Sequence, residues 1–258
     1  MSDLAAYGVQ VMPGKAANIL CKVLSNSMND ADDKYIYYNV GWLNYKGKLI
    51  FRANEASGLD ASYAGNLMIQ PKGTYTTWEK MIKAEVIGSA ERETALAIGF
   101  SASLYGLMYD TMNIESLFVH ISGDSSSGKT TMGLLALSIG CCPDFDKPSL
   151  ARTWGDTDNA IVKLLGGNHG YMVLLDEASQ ANNKDKTRII YILTGNREKS
   201  RLRSDASHNP GGVWHTTVMS TGEYSLLSYA AENMGLRMRL IEFKDVQWTD
   251  DAGNSDRP

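Results

Sequence analysis

The chain has 258 residues, with 25 Lys plus Arg against 29 Asp plus Glu and 43% hydrophobic residues. That balance excludes a mainly disordered chain, and the net charge of −4 argues against indiscriminate nucleic-acid binding by the whole surface. Three cysteines, two of them adjacent (Cys141 and Cys142), exclude a disulfide framework and point to a reducing, cytoplasmic compartment.

Lys34 to Leu43 is dense in Tyr, Ile and Val and predicts a strand. Asn44 to Lys48 supplies a turn, Leu49 to Arg52 the return strand, and Asn54 to Gly65 a loop. Thr76 to Ile87 predicts a helix with Trp78, Met81 and Ile82 on one side. Ala90 to Tyr109 predicts a longer one. Its uncharged stretch, Ala95 to Met108, is shorter than the roughly 20 residues of a spanning helix, so a buried helix and no membrane partner are expected. Residues 1–113 are thus expected to form a small α+β region.

Strand and helix patterns then alternate. Leu117 to Ser122 is a short apolar strand and Gly128 to Ile139 a helix closed by Gly140. Asp156 is placed to cap a helix over Thr157 to Leu165. Tyr171 to Leu175 has the continuous apolar character of a central parallel strand. Lys186 to Leu193 predicts a helix, Arg201 to Trp214 a projecting hairpin and His215 to Ser220 a strand. Tyr224 to Asn233 predicts a helix and Arg237 to Phe243 a last strand. Repeated strand–helix units imply a parallel α/β sheet over residues 114–246, followed by a polar tail at 247–258.

Gly123-Asp124-Ser125-Ser126-Ser127-Gly128-Lys129-Thr130 fits the P-loop pattern between a strand and a helix. Small residues let successive backbone N–H groups turn inward around a phosphate, and the following helix aims its N-terminus at the same anion. With Thr131, these residues form the expected nucleotide-binding loop. Lys129 would reach the β- and γ-phosphates and Thr130 would bind Mg²⁺. The run ending in Asp176-Glu177 supplies a second acid. Asp176 would hold Mg²⁺ through its water shell and Glu177 would orient and deprotonate the attacking water, which points to ATP hydrolysis.

Ser220-Thr221-Gly222-Glu223 ends a strand at the position of a γ-phosphate sensor. Thr221 or Ser220 fits that role, and Thr221 fits equally as the cap of a following helix. Arginine in a strand buried on both faces is costly without a partner. Arg239 first, and Arg237 second, therefore fit a subunit boundary, where a guanidinium would act on a neighbour's ATP. The other reading is a salt bridge at the sheet edge. Lys199, Arg201 and Arg203 alternate and would share one face of a strand, a basic stripe suited to nucleic-acid phosphates or a solvated hairpin. Trp214 would support that hairpin or stack a base. His120, His169, His208 and His215 show no metal-ligand spacing.

Together Trp42, Gly123 to Thr131, Arg152-Thr-Trp154, Leu175-Asp-Glu177, Gly195-Asn-x-x-Lys-x-Arg201, Trp214, Ser220-Thr-Gly-Glu223 and Arg239-Leu carry a family resemblance. The chain, from about Tyr35 to Phe243, resembles a bacterial and phage P-loop family catalogued as a domain of unknown function. That family includes mobile-element replication helicases similar to minichromosome-maintenance helicases of the AAA+ class. The resemblance implies an AAA+-like core and a hexameric ring of copies, with ATP between subunits. It also implies a hairpin carrying Lys199, Arg201 and Arg203 against DNA and Arg239 as the trans-acting finger. The helical lid of AAA+ proteins has no counterpart before the chain ends. The expected function is an ATP-driven motor on nucleic acid, a helicase in phage or mobile-element replication. The alternatives are an ATPase switch acting on protein and a nucleotide-binding module with little hydrolysis.

Overall fold

The computed structural model describes residues 15–29, 35–180, 186–198, 201–202, 208–209, 211–230 and 234–249. The chain forms two compact units, Met1–Tyr35 and Ile36–Pro258. The first carries α1 (Lys15–Asn29), a helix to which the sequence reading assigned no element. Its Ile19, Leu20, Val23 and Leu24 recur at helical spacing.

Four short strands come next. These are β1 (Tyr35–Tyr37), β2 (Val40–Tyr45), β3 (Lys48–Arg52) and β4 (Ala61–Tyr63). The predicted hairpin is β2 with β3, paired from Gly41 opposite Arg52 to Tyr45 opposite Lys48. Next come α2 (Tyr75–Met81), capped by the Thr74 hydroxyl, a π-helical turn over Ile82–Val86, and α3 (Ala90–Met112). Ser89 caps α3, with Glu91 and Glu93 in its first turn.

The core follows as β5 (Leu117–Ser122), α4 (Lys129–Leu137), β6 (Ala151–Thr153), α5 (Asp158–Leu165), β7 (Asn168–His169) and β8 (Val173–Asp176). Then come α6 (Thr187–Thr194), β9 (Arg201–Leu202), β10 (His208–Asn209), β11 (Thr217–Gly222), α7 (Met234–Arg237) and β12 (Leu240–Lys244). Five strands form the central sheet in the order β12-β5-β11-β8-β6, all parallel. The alternating pattern of the sequence thus yields the expected parallel sheet. Thr221 lies opposite Ile121 and Gly222 opposite Ser122, so β5 and β11 end level. The phosphate loop and Thr221 therefore share one edge of the sheet.

One face of the uncharged stretch of α3 is buried, with Ala95, Ile98 and Ala102 in the core, while Phe100, Leu104 and Leu107 are exposed, so the helix is not buried all round as expected. Its small residues are the contact points. Gly99 abuts the Ala136 carbonyl, Ser101 bonds Thr217 at 2.8 Å, Ser103 accepts from Trp42 Nε1 at 3.1 Å, and Gly106 abuts the His169 carbonyl. Among the described residues no helix is long and apolar enough to cross a membrane. Ile98 and Ala102 share one buried cluster with Phe118, Val119 and Leu174. The division expected at residue 113 therefore falls inside a continuous core. The expected boundary at 247 also falls within the fold, because Trp248 is buried.

Three elements differ from expectation for local reasons. Asp156 does not cap α5; the Thr157 hydroxyl does, accepting from the Ala160 N–H. β11 starts at Thr217 rather than His215, because the His215 N–H is already bonded to the Asn168 carbonyl. The helix expected over Tyr224 to Asn233 is a 3-10 turn at Leu227–Ala230 followed by α7. There the Glu242 carboxylate takes the Ser225 hydroxyl at 2.6 Å and the Leu226 N–H at 2.8 Å, which pins the chain out of a regular helix. β12 consequently begins at Leu240, leaving Arg237 at the end of α7 and Arg239 in the turn after it.

Candidate phosphate site and its acidic pair

Between β5 and α4 the chain turns through Gly123 (φ +154°), Ser126 (φ 64°) and Gly128 (φ 86°). Asp124, Ser125 and Ser126 are exposed, while Ser127, Gly128 and Lys129 are buried. The Lys129 ammonium lies over this loop, donating to the carbonyls of Gly123 (3.0 Å) and Asp124 (2.6 Å), with the Ser127 hydroxyl at 3.3 Å. Lys129 opens α4 behind the Gly128 cap, and Thr130 and Thr131 follow it in the first turn.

The acidic pair meets this loop from β8. The Thr130 Oγ1 lies 3.0 and 3.2 Å from the two Asp176 carboxylate oxygens. Thr221, on the neighbouring strand, donates its hydroxyl to Asp176 Oδ1 at 2.5 Å and accepts the Glu177 N–H at 3.0 Å. Glu177 stands in the left-handed region (φ 57°), a costly conformation for a non-glycine residue. The Thr221 bond holds it there. The Glu177 carboxylate accepts the Ser179 N–H at 3.3 Å. Lys129, Thr130, Asp176, Glu177 and Thr221 thus converge on one edge of the sheet from two strands and a helix.

Ser220 does not join them. Alternation along β11 sends Thr221 and Ser220 to opposite faces. Ser220 is fully buried, accepts from Trp154 Nε1 at 2.9 Å and lies 2.9 Å from His120 Nδ1. His120 Nε2 lies 3.0 Å from the Tyr224 carbonyl, which accepts only. Nε2 therefore carries the proton, Nδ1 accepts from Ser220, and the chain from Trp154 to Tyr224 is complete. Burial holds the His120 pKa below its ordinary value, consistent with this neutral tautomer. The sequence reading missed this relay; a lone His inside an apolar strand was its signal.

The two arginines separate. Arg239 forms an ion pair with Glu115 at 2.7 Å, donates to the Gly235 carbonyl at 3.1 Å, and sits 4.8 Å over the Tyr191 ring. Its needs are met within the chain, as in the salt-bridge reading. Arg237 is exposed at the end of α7, and no hydrogen bond or ion pair joins it to another described residue.

Of the basic stripe, Lys199 and Arg203 lie outside the described residues. Arg201 is on β9, which pairs antiparallel with β10, Leu202 opposite His208, as expected of a hairpin. Trp214 is fully buried and donates to the Leu193 carbonyl at 2.8 Å, so it supports the hairpin's base and stacks no nucleic-acid base.

The histidines show a second unforeseen contact. His169 and His215 approach to 3.2 Å between Nδ1 atoms and both stack on Tyr109. Burial, with His215 and Arg52 adding positive charge, pulls the His169 pKa down to about 4. Among the described residues no group of three or more His, Cys, Asp or Glu is placed to hold a metal without a further partner.

Comparison with known proteins now bears on the site. A family described as a domain of unknown function (DUF927) matches residues 1–209. The chain belongs to this family. A solved structure titled "SCCmec type IV Cch - active helicase" is similar, with 27% identity and a TM-score of 0.82. The match covers 99% of this chain and 49% of that one, so this DUF927 chain spans about half the helicase's length. No curated protein matches. The mixed α/β architecture with its five-stranded parallel sheet is therefore that of a helicase-like fold.

Proposed function

We propose that this chain is the core of an ATP-hydrolysing motor that acts on nucleic acid, a helicase in replication of a phage or mobile element. The observation that carries this reading is the convergence of Thr130, Asp176, Glu177 and Thr221 beside the phosphate loop. The likeness to an active helicase supports it.

The residues present fit ATP and Mg²⁺. Left-handed backbone at Gly123, Ser126 and Gly128 turns the loop as an anion cradle requires, and a hydroxyl and a carboxylate meet beside it, the hard oxygen donors that Mg²⁺ selects. The N–H groups of residues 123–131 and the Lys129 ammonium would hold the phosphates. Thr130 and Asp176 would hold Mg²⁺, which when bound supplies Lewis-acid charge for phosphoryl transfer to water. Glu177 is the base. Its carboxylate exchanges the Ser179 N–H for the water and takes the proton. Thr221 fixes Glu177 through the backbone, and its hydroxyl would turn from Asp176 to the terminal phosphate once that phosphate is bound.

A second copy completes the reaction in this reading. Arg237 is free to reach a neighbour's nucleotide, whereas Arg239 is committed to Glu115. A ring of copies, such as a hexamer, would present Lys199, Arg201 and Arg203 to the phosphates of DNA.

The test is steady-state ATP turnover with and without single-stranded DNA. Turnover should rise with DNA, and neutralising Lys199, Arg201 and Arg203 together should abolish the rise and flatten the salt dependence of binding. DNA-independent turnover that the triple variant leaves unchanged would favour an ATPase that acts on protein.

A further inference from the structure

Ser122 Oγ, Trp248 Nε1 and Thr249 Oγ1 are the buried side-chain polar atoms without a hydrogen-bond partner among the described residues. All three flank the phosphate loop. Ser122 immediately precedes it, while Trp248 and Thr249 belong to the strap that leaves β12. Orphaned buried polar groups are rare and costly, so three of them flanking one loop call for a partner.

The strap is seated on the loop itself. The chain reverses at Asp245 (φ 55°), whose N–H bonds the Ser122 carbonyl at 2.9 Å. The Trp248 N–H then donates to the Ser127 carbonyl at 2.9 Å. Trp248 is 2% exposed and meets the Phe243 ring edge-on at 5.8 Å. Thr249 lies directly against Gly128: a Cβ there would come within 2.5 Å of its Cγ2 and 2.7 Å of its Oγ1. Gly128 is thus required both by its positive φ and by the approach of Thr249.

Sheet order states which end of a nucleotide this strap would meet. Asp176, Glu177 and Thr221 stand on β8 and β11, to one side of β5. β12 and its strap stand on the other side. A nucleoside triphosphate is a linear molecule. With its terminal phosphate toward Asp176 and Glu177, its nucleoside end leaves the loop on the β12 side.

We propose that Trp248 and Thr249 form the nucleoside-binding side of the site. Thr249 Oγ1 and the Trp248 Nε1–H hydrogen-bond the nucleoside of a bound triphosphate, while the strap's backbone bond to Ser127 couples that contact to the phosphate loop. This inference rests on the nucleotide-site reading above. It adds residues that bind the nucleoside rather than the phosphates.

The experiment is calorimetric titration of Mg²⁺·ATP and of Mg²⁺·tripolyphosphate, which carries the phosphates alone, into wild-type protein and the variants Thr249→Val, Thr249→Ser and Trp248→Phe. Loss of one neutral hydrogen bond predicts about 2- to 12-fold weaker ATP binding in Thr249→Val and in Trp248→Phe, with tripolyphosphate affinity held. Thr249→Ser keeps the hydroxyl and should bind ATP as wild type does. Because Thr249 is only half-buried, its variants test the inference even if Trp248→Phe fails to fold. Unchanged ATP affinity in Thr249→Val would overturn it. Equal loss for both ligands would also overturn it, since the strap would then shape the phosphate loop only. If wild type binds neither ligand, the nucleotide site itself is refuted and this inference falls with it.

Discussion

Replacing Thr221 by Val removes one hydroxyl and preserves the side chain's shape, so no cavity term enters. Thr221 is 1% exposed. Its hydroxyl makes two bonds, a charge-assisted donation to Asp176 Oδ1 at 2.5 Å and acceptance of the Glu177 N–H at 3.0 Å. A hydrogen bond to a charged group contributes about 1.5–3 kcal/mol, and a stranded buried N–H costs about 1–3 kcal/mol. Asp176 keeps its Thr130 contact, which places the net loss at about 3 kcal/mol. The same change frees Glu177 from the bond that holds it at φ 57°, so the proposed base drifts while the phosphate loop stays intact. Urea unfolding at pH 7 and single-turnover ATP hydrolysis read the two effects. Thr221→Val should unfold about 3 kcal/mol more easily and hydrolyse at least about tenfold more slowly, with ATP affinity little changed. Thr221→Ser should recover most of both. A stability loss below about 0.5 kcal/mol, in the range of a neutral surface substitution, would refute the reasoning.

Arg237→Ala should leave the melting temperature in place yet lower turnover by about 10³-fold in the assembled protein, as loss of a trans-acting finger does. Arg239→Ala should lower stability by about 1 kcal/mol, having lost a partly buried ion pair and an aromatic contact; the opposite assignment of effects would restore Arg239 as the finger. The His169 pKa is held at about 4, below the ordinary 6.5, so the unfolded chain binds more protons between those values. Stability is then fully present above pH 6.5 and falls as pH drops toward 4, by up to about 3 kcal/mol. His169→Gln should flatten that dependence in urea titrations at pH 7, 5.5 and 4.5; an unaltered slope would contradict it.

The turn between β5 and α4, the candidate phosphate loop, was legible because its residue types follow from backbone demands: small side chains and glycine where φ is positive. The acidic pair was legible because a continuous apolar run, Tyr171 to Leu175, ends in it. Thr221 and Ser220 could not be separated by spelling. Only the register of β11 against β5 and β8 shows which of them faces Asp176. Arg239 and Arg237 could not be ordered either, because the partner of Arg239 is Glu115, more than a hundred residues away in the chain. β6 passed unnoticed because three residues, Ala151 to Thr153, are too few to show alternation and gain their strand conformation from pairing with β8. The boundary expected at residue 113 reflected a change of local pattern. The core ignores that change, since Ala95, Ile98 and Ala102 of α3 share one buried cluster with Phe118, Val119 and Leu174. Trp248 in a polar stretch was a signal that the sheet's last strand is not the end of the fold.

The most direct test of the central claim separates nucleotide binding from hydrolysis in one preparation. Radiolabelled ATP with Mg²⁺ is mixed with wild type, Lys129→Ala and Glu177→Gln, and bound nucleotide and released phosphate are followed together. The account predicts binding and hydrolysis in wild type, neither in Lys129→Ala, and binding with turnover reduced by at least about 10²-fold in Glu177→Gln. Wild-type-like phosphate release from Glu177→Gln, or from Lys129→Ala, would contradict it.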